Sequence, residues 1–213
     1  SDMYKWIILM SGLFASLIAC AKVKLSPLFS DNMVLQQEAE VPVWGKASPE
    51  MRVIVIPSWS GEKYENIADR TGNWKVNIKT PKAGGPYHLE ITDGEKVRLE
   101  NVMIGEVWLC SGQSNMQMPV EGWGKVKNYQ QEVAQANYPD IRLMTVSNTI
   151  SLSPSQEFTA VGGGWQVCSS VTIREFSATA YFFGREIART QQVPVGLICA
   201  HWGGTNIEPW ISA

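Results

Sequence analysis

Histidine is scarce in this sequence: only His88 and His201 occur among its 213 residues. The four cysteines fall at no spacing, from these histidines or from one another, that is typical of a zinc site. An excess of charge is also lacking, since the net charge is -2 and the pI is about 5.8. These scarcities argue against a metal centre and against a basic surface for nucleic acid. We therefore expect neither a cofactor nor a nucleic-acid partner.

Long apolar runs are absent apart from Ile7–Ile18, which is short for a membrane span. The run follows a short basic region that begins at Met3, a pattern typical of an export signal. Ser1 and Asp2 precede Met3 and are interpreted as a remnant of cloning. We predict a signal segment over residues 1–21 and an exported protein.

The end of this segment fits two kinds of processing. Leu17-Ile18-Ala19-Cys20 is typical of a bacterial lipobox, in which Cys20 is lipidated and becomes the mature N-terminus. Ala19-Cys20-Ala21 also fits the small-residue site of ordinary signal peptidase. The predicted location is therefore periplasmic, on the outer membrane as a lipoprotein, or secreted, and a lipid anchor would be the only membrane contact.

Three cysteines remain beyond this segment, an odd number for an exported protein. Cys110 and Cys199 lie in apolar runs, where a free cysteine behaves as a small hydrophobe. A disulfide between Cys168 and one of the other two is left open.

Residues 22–101 carry short strand-like runs separated by turn residues, and they show no helical periodicity. The clearest runs are Arg52–Ile56, Asn73–Ile78 and Tyr87–Ile91. Many short strands at regular spacing predict an all-β sandwich domain, of jelly-roll type. Three tryptophans of this region have two alternative roles, core packing or carbohydrate binding: Trp44, Trp59 and Trp74.

Residues 102–213 follow a different pattern, in which strands alternate with helices. Asp140–Val146 and Val195–Ala200 read as strands, and 127–137 and Phe176–Gln191 as helices. Alternation of this kind predicts an α/β domain with a parallel sheet. We expect this region to be the first, incomplete part of a three-layer α/β/α domain.

A serine follows the first strand of this region. Residues 107–116 read Val-Trp-Leu-Cys-Ser-Gly-Gln-Ser-Asn-Met, which places Ser114 just beyond the carboxyl end of a strand. Ligands of open α/β sheets bind at that edge, and Gly112 allows a tight turn there. Ser114 is therefore a candidate nucleophile. The alternative is a helix cap formed by Ser114 or Asn115.

A second glycine-bearing segment follows the last strand. Residues 201–210 read His-Trp-Gly-Gly-Thr-Asn-Ile-Glu-Pro-Trp. Paired glycines let backbone N–H groups approach a ligand closely, and such donors stabilise the oxyanion of ester hydrolysis. Gly203 or Gly204, together with the N–H of Ser114, are the predicted donors. An ordinary glycine turn is the alternative.

The Gly-Gln-Ser-Asn-Met segment resembles the first block of the SGNH-hydrolase superfamily in its carbohydrate O-acetylesterases. With the Trp-Gly-Gly-Thr segment, the order is similar to that of the sialate O-acetylesterase family. The resemblance implies an SGNH-type domain and a serine esterase that removes acetyl groups from sialic acids or related sugars. Ser114 is the nucleophile on this interpretation, and Gln113 and Asn115 support it.

The general base is missing from this pattern. The family carries it in an Asp-x-x-His or Asp-x-His motif after a Gln-Gly-Glu-Ser block, and neither is present here. His201 is a weak candidate because no acidic partner is placed beside it, and His88 reads as a surface strand residue. We therefore expect that further C-terminal sequence or a second chain completes the domain, and that the 213 residues alone are nearly inactive.

Nine tryptophans favour a carbohydrate substrate weakly. Trp123, Trp202 and Trp210 lie near the two blocks and are candidates to line a sugar site, with core packing equally open. An acetylxylan-type polysaccharide esterase is the nearest alternative function. A non-catalytic carbohydrate-binding or surface protein that retains the serine block is another, and a structural adhesin domain is the third.

Overall fold

The computed structural model describes residues 22–124, 126–153, 155 and 157–211. The predicted signal segment, with Cys20, lies outside these ranges. In the described part, no helix has the length and apolar character needed to cross a membrane.

The described residues form a mixed α/β fold in which strands predominate. The helices are α1 (Ser114–Gln117), α2 (Tyr129–Gln135) and α3 (Ala178–Gln191), with short 3₁₀ turns at Val161–Gly163 and Glu208–Trp210. The strands are β1 (Lys24–Leu25), β2 (Val34–Gln36), β3 (Glu40–Lys46), β4 (Arg52–Pro57), β5 (Tyr64–Ile67), β6 (Asn73–Lys79), β7 (Gly84–Thr92), β8 (Lys96–Gly112), β9 (Asn137–Thr145), β10 (Gln166–Ser169) and β11 (Val195–His201).

The first half of the chain contributes strands to two sheets that share one core. A small sheet has the order β1-β3-β6, and the larger sheet runs β10-β9-β11-β8-β7-β4-β5 with β2 beside β8. Strand β6 alternates strictly between exposed and buried residues, as its sequence pattern predicts. Apolar side chains of both sheets meet in a single cluster that includes Val43, Ile78, Val55, Leu89 and Ile91. The jelly-roll connectivity stays a prediction.

The tryptophans of this region pack against other rings or in the core. Trp74 is 3% exposed and belongs to the shared core. The Trp44 ring lies edge-on to Phe29, with 4.7 Å between centroids, and Trp59 lies edge-on to Tyr87 at 5.6 Å. Core packing is therefore the better interpretation for Trp74.

Strand β8 is the longest element and connects the two halves of the fold. Its first part pairs with β7 in antiparallel orientation, and residues 103–105 pair with β2 in parallel. From Glu106 onward it pairs in parallel with β11. The strand runs through position 101, where the sequence pattern changes, so both regions share one continuous strand.

The predicted parallel strands are present in the second half. β11 lies between β8 and β9 and is parallel to both, whereas β10 is antiparallel to β9 and makes the sheet mixed. The predicted helix over 127–137 is found as the shorter α2, and that over 176–191 as α3. Helix α3 packs on β11 so closely that a Cβ on Gly184 would come within 2.5 Å of Leu197 Cδ1. The parallel pairing of β11 with β8, which runs as far as His201 and Gly112, places the two strand ends side by side.

The upper part of β8 has a free edge. Beyond Gly105, no strand among the described residues pairs with the side of β8 that faces away from β11. Trp108 and Leu109 are 40% and 69% exposed there. Phe183 of α3, which the helical spacing assigns to the apolar face, is 38% exposed and contacts the Trp108 ring at a centroid distance of 5.0 Å.

Candidate active site

Ser114 stands on the turn where β8 ends. It is the first residue of α1 and is exposed to solvent. The cap position of α1 is Gln113, which makes no side-chain capping bond, and Ser114 Oγ makes no hydrogen bond with any other described residue. The alternative interpretation of Ser114 or Asn115 as a helix cap is therefore wrong. The Ser114 hydroxyl is thus exposed and without a hydrogen-bond partner in the described part of the chain.

The second glycine segment lies directly against this serine. Parallel pairing places His201 opposite Gly112, and the Trp202 N–H donates to the Gly112 carbonyl at 3.1 Å. A Cβ on Gly203 would lie 2.9 Å from Ser114 Oγ, closer than real Cβ atoms approach such neighbours. The two sequence blocks therefore meet, and a larger residue at position 203 would displace the Ser114 hydroxyl and the Gln117 side chain.

The two glycines differ in the availability of their N–H groups. The Gly203 N–H donates to Gln117 Oε1 at 2.7 Å. Gly204 has a φ of +77°, its N–H has no acceptor in the described part of the chain, and a Cβ there would meet nothing within 4 Å. The N–H of Ser114, at the start of α1, has no partner within its helix. Of these three N–H groups, those of Ser114 and Gly204 have no acceptor in the described part of the chain.

Gln113 and Asn115 are both tied to neighbouring segments, but in different ways. Gln113 Nε2 donates to the Thr205 carbonyl of the second glycine segment. For Asn115 the tethered group is its backbone carbonyl, which accepts from Thr179 Oγ1 at 3.0 Å. These contacts hold the serine turn between β11 and the start of α3.

The two histidines do not contact Ser114. His201 is 9% exposed, and neither of its ring nitrogens has a hydrogen-bond partner in the described chain. Burial lowers the pKa of His201 below its ordinary value, so the ring stays neutral near pH 7. His88 lies on β7, with its Nδ1 3.2 Å from Arg98 Nη2. In the described geometry, neither histidine is placed as the base for this serine.

The three tryptophans near the blocks occupy different positions. Trp210 is half-buried and donates through Nε1 to Thr205 Oγ1 at 2.8 Å, which ties it to the glycine segment. Trp202 is half-buried in that segment. Trp123 is 66% exposed in the turn after α1. A role for these rings in sugar binding stays a prediction.

The remaining cysteines are free thiols buried in the core. Cys110 and Cys199 face each other in register on β8 and β11, and Cys168 lies on β10. Burial raises the pKa of Cys168 to about 12. The described residues contain no group of three or more acidic, histidine or cysteine side chains that could hold a metal ion.

Comparison with known proteins identifies the family. The family model for carbohydrate esterases of the sialic acid-specific acetylesterase type matches residues 104–213. The sialate O-acetylesterase of Homo sapiens is 33% identical over 205 residues, which cover 89% of this chain and 39% of that protein. The Mus musculus enzyme is 33% identical over 201 residues, covering 86% and 37%. The chain belongs to this family.

A solved structure agrees with this assignment. The crystal structure of a carbohydrate acetylesterase from Xanthomonas citri is similar with a TM-score of 0.82 and 36% identity, over 90% of this chain and 43% of that one. The chain thus spans about two fifths of the length of these relatives. The family model begins at β8 and includes both Ser114 and the glycine segment.

Sequence reasoning did not single out Gln117 or Thr205. Each takes part in a contact between the two blocks that are far apart in the sequence. Gln117, for example, accepts from the Gly203 N–H, 86 residues away. The available signal was the presence of glutamine at both 113 and 117, four residues apart, a spacing that brings two side chains together when it falls on a helical turn.

Proposed function

We propose that this chain carries the nucleophile of a serine carbohydrate O-acetylesterase that acts on acetyl esters of sialic acids or related sugars. The observation that carries the proposal is the exposed hydroxyl of Ser114, which has no hydrogen-bond partner among the described residues and has Gly203 packed directly against it. The family relationship supports the same chemistry, because relatives named sialate O-acetylesterase match most of the chain.

The proposed reaction proceeds in two steps. Ser114 Oγ attacks the acetyl carbonyl carbon and gives its proton to a base, while the carbonyl oxygen becomes an oxyanion that accepts from backbone N–H groups. Collapse of this intermediate breaks the bond to the sugar oxygen, which leaves as a hydroxyl with the proton from the base. Water then hydrolyses the acetyl-serine by the same route in reverse.

The base in this proposal comes from outside the described residues. No described carboxylate or imidazole makes a hydrogen bond to Ser114, and the relatives are more than twice as long as the matched region. We propose that a further segment or a second chain supplies the histidine and its acidic partner. The same segment would cover the free edge of β8 at Leu109 and complete a three-layer SGNH-type domain.

Two further parts of the proposal concern location and substrate contact. Export, with or without lipidation of Cys20, places the enzyme where it meets acetylated glycans. Trp202 and Trp210 lie on or beside the glycine segment and would present aromatic surface to the sugar that carries the acetyl group.

The proposal is tested by acetate release from O-acetylated sialic acid and from acetylated xylo-oligosaccharides, measured on the natural full-length protein. Ser114→Ala should lower kcat by about 10⁴-fold or more, by analogy with the loss of other serine nucleophiles. Ser111→Ala is the matched control, because Ser111 is also exposed and lies three residues away on β8. Equal activity of the Ser114→Ala variant and wild type would contradict the proposal.

The same assay addresses the alternatives. Faster release from the xylo-oligosaccharides would assign the acetylxylan-type activity. No release from either substrate by wild type, together with binding of the glycans, would favour the non-catalytic carbohydrate-binding protein. The absence of a described base near Ser114 is the observation that keeps this second function open.

A further inference from the structure

Two glutamine side chains hold the glycine segment on either side of the serine. Gln113 precedes Ser114 by one residue, and its Nε2 donates to the Thr205 carbonyl. Gln117 follows by three residues, and its Oε1 accepts from the Gly203 N–H at 2.7 Å. The segment 203–205 is thus attached to the serine turn at two points.

The two attachments use opposite ends of the same functional group. A backbone N–H can only donate and a backbone carbonyl can only accept. Position 117 must therefore offer an acceptor to Gly203, whereas position 113 must offer a donor to Thr205. Glutamine satisfies both requirements, since its carboxamide carries one acceptor oxygen and an amino group with two donors.

Hydrogen bonds to the serine block already occupy some of the backbone N–H groups of this segment. The Trp202 N–H is engaged by the Gly112 carbonyl and the Gly203 N–H by Gln117. The next N–H, that of Gly204, has no acceptor among the described residues, and a Cβ at this position would meet no atom within 4 Å. Of the three, it is the donor that an incoming ligand can use without breaking an existing hydrogen bond.

We propose that Gln113 and Gln117 are positioning residues that fix the glycine segment against Ser114 and leave the Gly204 N–H as its oxyanion donor. This inference rests on the proposed esterase function. It assigns the donor to Gly204 rather than Gly203 and gives a role to both glutamines of the serine segment. A displaced donor weakens transition-state stabilisation more than substrate binding, so the effect falls on kcat.

Four variants of the natural full-length protein test the proposal: Gln113→Glu, Gln113→Met, Gln117→Glu and Gln117→Met. Methionine has a similar length and removes the hydrogen bond at either position, so both methionine variants should lose about 10- to 100-fold in kcat with little change in KM. Glutamate keeps the acceptor at position 117 but replaces the donor at position 113 by a second acceptor.

The two glutamate variants form a matched pair, because each adds one carboxylate beside Ser114. Gln117→Glu should retain at least about 10 times the kcat of Gln113→Glu near pH 7, since only the first preserves its bond. Relative to wild type at the same pH, Gln113→Glu should recover as the pH falls through the carboxyl pKa, because a protonated carboxyl regains a donor. A role in packing alone would not produce this asymmetry.

Several results would overturn the proposal. Equal kcat values for the two glutamate variants would overturn it. A kcat of Gln117→Met above that of wild type would also overturn it, because Gln117 would then block the Gly203 N–H rather than position the segment. Hydrogen–deuterium exchange at Gly203 separates this failure from failure of the esterase function. Gln117→Met should accelerate that exchange even if Ser114→Ala retains activity, and unchanged exchange would refute the attachment itself.

Discussion

At the scale of single residues, Gly203 is a position where an added side chain would meet the serine block directly. An alanine there would place its Cβ 2.7 Å from Gln117 Oε1 and 2.9 Å from Ser114 Oγ. We expect Gly203→Ala to lower kcat/KM by more than about 10-fold, because the added methyl group displaces either the Ser114 hydroxyl or the segment that faces it.

Gly204→Ala is the informative comparison, since the same methyl group enters open space one residue later. Its cost is backbone strain at φ +77°, about 1 kcal/mol in the free energy of unfolding. The expected order of kcat/KM is wild type, then Gly204→Ala, then Gly203→Ala. The reverse order of the two variants would contradict the observed packing.

His201 is a second residue whose burial has a measurable consequence. Its folded pKa lies below the ordinary value of about 6.5, so the unfolded state binds more protons as the pH falls below that value. The contribution to stability is therefore complete above about pH 6.5 and decreases toward the lower folded pKa.

When the pH is lowered from about 7.5 to about 5.5, the free energy of unfolding should decrease in wild type. We expect the decrease to be smaller in His201→Asn. Urea denaturation at the two pH values measures the difference. Identical pH dependence in both proteins would show that His201 is not buried as a neutral ring.

At the scale of elements, the start of α3 supports the serine turn. Ser177 is fully buried, caps α3 by accepting from the Ala180 N–H at 3.1 Å, and its hydroxyl lies 3.5 Å from Met116 Sδ. Ser177→Ala should lower the free energy of unfolding by about 1 kcal/mol. Thr190→Ala, at the exposed end of the same helix, serves as the control and should change it by less than about 0.5 kcal/mol. Equal losses in chemical denaturation would count against the cap.

The elements that sequence patterns predicted best are those with local signals. Helix α3 and strand β11 lie within about two residues of their predicted bounds, because helical spacing, Pro194 and an apolar run mark them in the sequence. The length of β8 was not predicted. Its first part lies in one sheet layer and its last part among the parallel strands, and such pairing depends on partners far along the chain.

At the scale of the whole molecule, the sequence predicted the meeting of two blocks but not their attachment. Two strands that are parallel and adjacent end at the same edge, so Ser114 and Gly203 could be expected near each other. The donor and acceptor assignments at Gln113, Gln117 and Gly204 depend on side-chain geometry across that edge. The spacing of the two glutamines in the sequence does not give these assignments.

The whole proposed reaction depends on Ser114 as the nucleophile. The most direct test is to treat the natural full-length protein with a fluorophosphonate and to locate the adduct by peptide mass spectrometry. We expect one modified serine, Ser114, with labelling abolished in Ser114→Ala and retained in Ser111→Ala. An adduct on another residue, or no adduct under conditions where the protein hydrolyses acetyl esters, would contradict it.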